Sequence, residues 1–83
     1  MMEQKNFNDT TTADVIEEII MSNRIGDIAV ILSDKLNIEP LQALKRFYES
    51  DTCERLHNRA TGLYLYGDTY IADDFIIEMQ NKQ

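Results

Sequence analysis

The only cysteine and the only histidine of the chain, Cys53 and His57, are four residues apart. On a helix this spacing places two side chains on one face, and a thiol beside an imidazole is the pair that thiol-based nucleophilic catalysis needs. Such catalysis also needs oxyanion donors and a substrate cleft, and no sequence pattern supplies them. We therefore interpret Cys53 as a small buried apolar residue and predict no catalytic residue. The chain is expected not to be an enzyme.

Ligands for a metal ion or a phosphate group do not cluster in the sequence. A closed zinc site uses four Cys or His ligands, and the chain has one of each. Asp73 and Asp74 are neighbours, so on a helix they point about 100° apart rather than toward one ion. The three glycines, Gly26, Gly62 and Gly67, accompany no phosphate-binding lysine or dinucleotide fingerprint. We predict no metal site and no cofactor.

The main functional candidate is the tyrosine-rich segment between Gly62 and Gly67. Its leucines and tyrosines alternate with period two, which predicts a short extended arm near 62–66, with the leucines facing inward and the tyrosines outward. Tyrosine is favoured at interfaces because it combines apolar area with a polar tip. A single arm could lie over the helices or pair with its copy in a homodimer. The predicted protein-binding residues are Leu63, Tyr64, Leu65, Tyr66 and Tyr70.

Residues 28–47 support an alternative function, because they resemble a DNA-binding helix-turn-helix. A turn follows Leu36, and the second helix carries the candidate DNA contacts Gln42, Lys45 and Arg46. Recognition contacts come mainly from the start of that helix, however, and Glu39 stands there. The chain has 15 acidic and 8 basic residues, a net charge of −7, which opposes binding to phosphate. Two helices packed in a bundle give the same pattern, so a transcriptional regulator is the alternative and a protein partner the main prediction.

Four to five short helices are predicted to position these residues in a small all-α bundle. Residues 1–10 are polar and aperiodic, which predicts a disordered tail before one helical domain over 11–83. Thr11 or Thr12 caps a first helix, and Gly26 predicts a break before a second helix over about 27–36. The first helix carries four apolar residues at helical spacing: Val15, Ile16, Ile19 and Ile20.

The remaining helix boundaries follow from capping residues. Asn37 is predicted to end the second helix in a left-handed conformation, and Pro40 to open the third. Asp51 begins a capping-box pattern, which predicts a fourth helix over 51–58, and one bent helix over 40–58 is the open alternative. Asp68 or Thr69 caps a last helix over about 70–80.

Charge and cysteine content bear on location and partners. From Asn37 to Tyr66 there are four acidic and four basic residues, so the excess acid lies in the two ends of the chain. This distribution suits a protein-binding module, although acidic residues also keep a small domain soluble. A lone thiol suits the cytoplasm. The polar N-terminus has no secretory signal pattern, and no apolar run is long enough for a membrane span.

A set of short motifs follows Asn37: Ala43-Leu44, Phe47-Tyr48-Glu49-Ser50, Thr52, Leu56, Thr61-Gly62-Leu63-Tyr64-Leu65 and Tyr70-Ile71. With these motifs, about half of the chain resembles a group of short uncharacterised bacterial helical proteins. The resemblance implies a helical fold and a bacterial origin, and no activity is established for the group. Cys53 stands where an aromatic residue is expected, and Arg59-Ala60 where acids are expected. Small acidic bacterial proteins of this kind sometimes act as antitoxins or accessory partners, which is an analogy.

Overall fold

The computed structural model describes the backbone of residues 10–82 and side chains from Ala13 to Lys82. Within this range all regular structure is helical, as predicted. The α-helices are α1 (Thr10–Leu36), α2 (Pro40–Tyr48), α3 (Asp51–His57) and α4 (Asp68–Asn81), and two 3-10 turns, Arg59–Thr61 and Leu63–Leu65, connect α3 to α4. The predicted disordered tail lies outside the described residues, except for Thr10, which is the first residue of α1. No helix in the described range is both long enough and apolar enough to cross a membrane.

Helix α1 is continuous over 27 residues, so the predicted break at Gly26 is wrong. Glycine inside a helix costs about 1 kcal/mol relative to alanine. The neighbours Ile25 and Ile28 are 1% and 0% exposed, and burying two such side chains outweighs that cost. Thr11 and Thr12, the predicted caps, lie inside the helix.

The predictions for the turn between α1 and α2 are confirmed. Asn37 has a positive φ of 57°, and Pro40 is the first residue of α2. The backbone N–H of Ile38 donates to the carbonyl of Ser33 (3.2 Å), and the Ser33 hydroxyl donates to the carbonyl of Ile38 (2.6 Å). These bonds close the turn and set the direction of α2.

Residues 40–58 form two helices, and the cap between them is one residue earlier than predicted. Ser50, not Asp51, is the N-cap of α3, and its hydroxyl accepts from the N–H of Cys53 (3.0 Å). The same hydroxyl donates to the carbonyl of Phe47 at the end of α2 (2.6 Å). One buried side chain therefore ends α2 and begins α3.

The core lies between the second half of α1 and the three shorter helices. Phe47 of α2 packs against Phe75 of α4, with ring centroids 5.7 Å apart and planes tilted by 53°. The core is made of twelve buried residues: Ile25, Ile28, Ala29, Leu32, Ala43, Phe47, Cys53, Leu56, Leu63, Ile71, Ala72 and Phe75.

The predicted extended arm near 62–66 is wrong, because Leu63–Leu65 is a 3-10 turn. Gly62 precedes it with a positive φ of 73°, a conformation that glycine adopts without strain. A 3-10 turn repeats every three residues, so Leu63 and Leu65 do not share a face. Leu63 is 4% exposed, whereas Leu65 is 74% exposed.

This arrangement predicts a large difference between the two leucines. Leu63→Ala is expected to lower the free energy of unfolding by about 3 kcal/mol, because it opens a cavity in the core. Leu65→Ala is expected to change it by less than about 0.5 kcal/mol. Urea denaturation followed by circular dichroism measures the free energy of unfolding of both variants. If the two variants lose the same amount of stability, the result would contradict the 3-10 turn.

Helix α4 starts one or two residues earlier than predicted. Gly67 is its N-cap, and no side chain caps the helix. Asp68, a predicted cap, is instead an acceptor for the side chain of Arg24 in α1, at 2.7 Å. The predicted helix over about 70–80 is therefore the main part of Asp68–Asn81.

Candidate protein-binding surfaces

Helix α1 has apolar residues on two opposite faces. Successive helical residues are turned by about 100°, so the buried Ile25, Ile28 and Leu32 define the face toward the core. Positions 16, 19, 23, 26 and 30 follow steps of three and four residues along the other side. We call the apolar residues on and beside this line, Val15, Ile16, Ile19, Ile20 and Val30, the outer α1 face.

The outer α1 face is exposed along its whole length. Its side chains are 50% (Val15), 52% (Ile16), 56% (Ile19), 61% (Ile20) and 60% (Val30) exposed. Eleven large apolar side chains are exposed among the described residues, and these are five of them. Soluble proteins rarely leave a large contiguous apolar surface uncovered unless it binds something. The periodicity predicted the stripe of Val15, Ile16, Ile19 and Ile20, but it did not include Val30 and did not predict that the stripe faces solvent.

The outer α1 face points to solvent because the polar side of the first half of α1 is turned toward the body of the protein. Asp14, Glu17 and Glu18 help to line an open groove of about 820 Å³. Glu17 forms an ion pair with Arg59 across the groove (3.0 Å), and the Arg59 guanidinium lies 5.1 Å from the ring centroid of Tyr64. With its acidic side facing inward, the helix turns Ile16 and Ile19 to solvent, and Ile20 also lines the groove.

The predicted tyrosine-rich surface is divided by the fold. Leu63 is buried in the core, and Tyr64 is half-buried against it. Tyr66 and Tyr70 are 50% and 52% exposed, and their rings stack with centroids 4.4 Å apart and planes at 22°. We call Leu65, Tyr66 and Tyr70 the tyrosine patch. Three of the five predicted contact residues are thus at the surface.

Arg24 of α1 attaches the tyrosine-bearing segment to the long helix. Its Nε donates to Asp68 Oδ1 (2.7 Å), and its Nη1 donates to the carbonyl of Tyr64 (2.6 Å). Its Nη2 donates to the carbonyl of Tyr66. Charge-assisted bonds of this kind are strong, so Arg24 holds the tyrosine patch in a defined place. No local sequence pattern indicated this role of Arg24, because its partners are about 40 residues away.

Glu78 joins α4 to the start of α3, as Arg24 joins α1 to the tyrosine-bearing segment. Its carboxylate accepts from the backbone N–H groups of Asp51 (2.9 Å) and Thr52 (2.8 Å) and from Thr52 Oγ1 (2.6 Å). Lys82 Nζ lies 3.0 Å from it. Burial raises the pKa of this carboxyl, but the bonds from Thr52, Asp51 and Lys82 outweigh burial and lower its pKa to about 2. The carboxylate therefore stabilises the N-terminus of α3 while it joins two helices.

Cys53 and His57 share a helix face, as their spacing predicted, with Sγ and Nδ1 3.7 Å apart. Nδ1 of His57 also lies 2.9 Å from the carbonyl oxygen of Cys53, an acceptor to which it can only donate. Burial raises the pKa of the Cys53 thiol, whereas an activated nucleophile has a lowered pKa. Among residues 10–82, no three His, Cys, Asp or Glu side chains are grouped closely enough to hold a metal ion.

The alternative DNA-binding residues are exposed on α2. Gln42, Lys45 and Arg46 all face solvent, and the α1–turn–α2 connection has the predicted order. Lys45 and Arg46 lie in the last turn of this nine-residue helix, away from the end that would enter a DNA groove. Lys45 and Arg46 are therefore accessible, but their position on α2 is unfavourable for reading DNA.

Comparisons with known proteins identify no family for the chain. No protein-family model, no curated protein and no solved structure matches it. Function must therefore be inferred from the surfaces themselves, of which the outer α1 face is the largest apolar one described above.

Proposed function

We propose that the protein is a non-enzymatic protein-binding module of an antitoxin-like or accessory kind, and that the outer α1 face is its main binding surface. The observation that carries this proposal is the exposure of 50–61% at the five aliphatic residues of that face. The tyrosine patch is a second contact area, since exposed tyrosines often contribute strongly to binding. The lone cysteine favours action in the reducing cytoplasm.

Burial of the outer α1 face would supply a useful binding energy. A fully buried aliphatic side chain gains about 1.5–3 kcal/mol, so each half-exposed residue of this face would gain about 1 kcal/mol. Five such residues would give about 5 kcal/mol, which is in the range needed to offset the entropy lost on association. The stripe needs no rearrangement of the core to reach a partner, because it already faces solvent.

The proposal is tested by recovering the tagged protein from its native host at low expression, with and without nuclease. The parent protein is expected to retain a stoichiometric protein partner after nuclease treatment. The double variant Ile16→Ser/Ile19→Ser is expected to lose at least about 90% of that partner, because it loses about 2 kcal/mol of apolar contact. A Tyr66→Ser/Tyr70→Ser variant measures the contribution of the tyrosine patch.

Ile77→Ser is the matched control, because Ile77 is an exposed isoleucine (52%) on α4, outside the outer α1 face. It is expected to retain the partner. If Ile16→Ser/Ile19→Ser recovers as much of the partner as the parent protein does, this result would contradict a binding role for the outer α1 face. Recovery of nuclease-sensitive DNA without a protein, abolished by Lys45→Glu/Arg46→Glu, would overturn the proposal in favour of DNA binding.

A further inference from the structure

Two acidic residues lie beside the outer α1 face. Asp27 and Asp34 follow Ile20 at steps of seven residues along one side of that face, and both are exposed. Glu17 and Glu18 are on the opposite side of the helix, where they line the groove. The basic residues of α1, Arg24 and Lys35, form ion pairs with Asp68 (2.7 Å) and Asp73 (3.5 Å) of α4 instead. The solvent side of α1 is therefore apolar along its line and negative beside Val30.

This charge pattern discriminates between possible occupants of the face. A second copy packed parallel to the first would bring Asp27 and Asp34 close to the same acids of its partner. Like charges juxtaposed across an interface cost binding energy, whereas opposite charges favour association. Within the described residues, Asp27 and Asp34 belong to no ion pair. They are thus available to a basic partner.

Gly26 lies on the same line of the helix. It gives a second, independent indication that another molecule packs against this face. A Cβ at this position would meet nothing within 4 Å, and the residue does not need a positive φ. Alanine would therefore fit and would stabilise the helix by about 1 kcal/mol. A glycine that no intramolecular contact requires leaves a depression between Ile19 and Val30, where a large side chain of another molecule can approach the backbone closely.

We infer, on the basis of the proposed function, that the occupant of the outer α1 face is a basic amphipathic helix of another protein. Its apolar side chains repeat at steps of three and four residues and pack along Ile16, Ile19 and Val30. One large side chain lies over Gly26. Lysine or arginine residues beside its apolar stripe pair with Asp27 and Asp34. This is the helix-to-helix mode of recognition, with flanking charges that select the partner.

Three synthetic peptides, each about three heptads long, test the inference by fluorescence anisotropy. The first has leucines at heptad spacing with flanking lysines, the second has the same leucines with flanking glutamates, and the third is a scrambled form of the first. The lysine-flanked helix is expected to bind at least about tenfold more tightly than either of the others, and salt is expected to weaken its binding. Equal affinity for the lysine and glutamate peptides would overturn the inference.

Two variants of the chain test the contacts. Asp27→Lys/Asp34→Lys is expected to reverse the preference toward the glutamate-flanked peptide, and Gly26→Leu is expected to weaken binding at least about tenfold while the helix content is kept. Ile77→Ser is again the control. Concentration-dependent dimerisation of the parent, lost in Ile16→Ser/Ile19→Ser, would show that a second copy occupies the face and would overturn the inference.

The recovery experiment separates this inference from the proposed function. If Ile16→Ser/Ile19→Ser loses the cellular partner and Asp27→Lys/Asp34→Lys retains it fully, the outer α1 face binds protein but the partner is not basic. If neither variant loses the partner, both the proposed function and the inference fail.

Discussion

Phe47→Ala is expected to lower the free energy of unfolding by about 4 kcal/mol. Phe47 is fully buried (0% exposed), and its ring packs 5.7 Å from that of Phe75. Removing it leaves a cavity beside Phe75 in the core. Because a small domain has a stability near the lower end of the usual range of about 5–15 kcal/mol, the variant is expected to be largely unfolded near 37 °C.

Urea and thermal denaturation followed by circular dichroism measure this loss, and Ile19→Ser is the control in the same experiment. Ile19 is an aliphatic residue at helical spacing but is 56% exposed, so its replacement is expected to change stability by less than about 0.5 kcal/mol. A loss of more than about 2 kcal/mol in Ile19→Ser would mean that the outer α1 face is covered within the chain, and it would contradict the binding role of that face.

Glu78→Gln is expected to lower the free energy of unfolding by about 3 kcal/mol near neutral pH. The pKa of Glu78 falls from an ordinary value of 4.5 to about 2 in the folded chain, and each pKa unit corresponds to about 1.4 kcal/mol. Because the folded-state pKa is the lower one, this stabilisation is present above about pH 4.5 and is lost as the pH falls toward 2. The neutral amide cannot reproduce the charged bonds to Asp51 and Thr52.

The stability difference between the parent protein and Glu78→Gln is therefore expected to shrink between about pH 5 and pH 2. Urea denaturation at several pH values measures this difference. Asp73→Asn is the control, because Asp73 is 54% exposed and only 3.5 Å from Lys35, and exposed pairs contribute little. A difference that stays constant down to pH 2 would contradict the role of the Glu78 carboxylate.

Some features of the fold could be predicted from the sequence because they depend on neighbouring residues. The left-handed end at Asn37, the helix start at Pro40 and the shared face of Cys53 and His57 are examples, since backbone preference and helical spacing act within a few residues. The all-α class followed from the same periodicity. The cap of α3 was predicted to within one residue, because Ser50 and Asp51 are adjacent and either side chain can serve as a cap.

Other features depend on contacts between distant residues. Gly26 stays helical because the core covers Ile25 and Ile28. Arg24 and Glu78 find their main partners about 40 and about 26 residues away, so no local pattern reveals them.

The candidate binding surfaces also combine features that depend on neighbouring residues with features that depend on distant contacts. By itself the sequence determined that Val15, Ile16, Ile19 and Ile20 form an apolar helical stripe. Only the tertiary structure decided that the outer α1 face is exposed, that Leu63 is core while Leu65 is not, and that Glu17 and Glu18 face the groove. The physical reason is that periodicity specifies which residues share a face, whereas the packing of the other helices decides which face is buried.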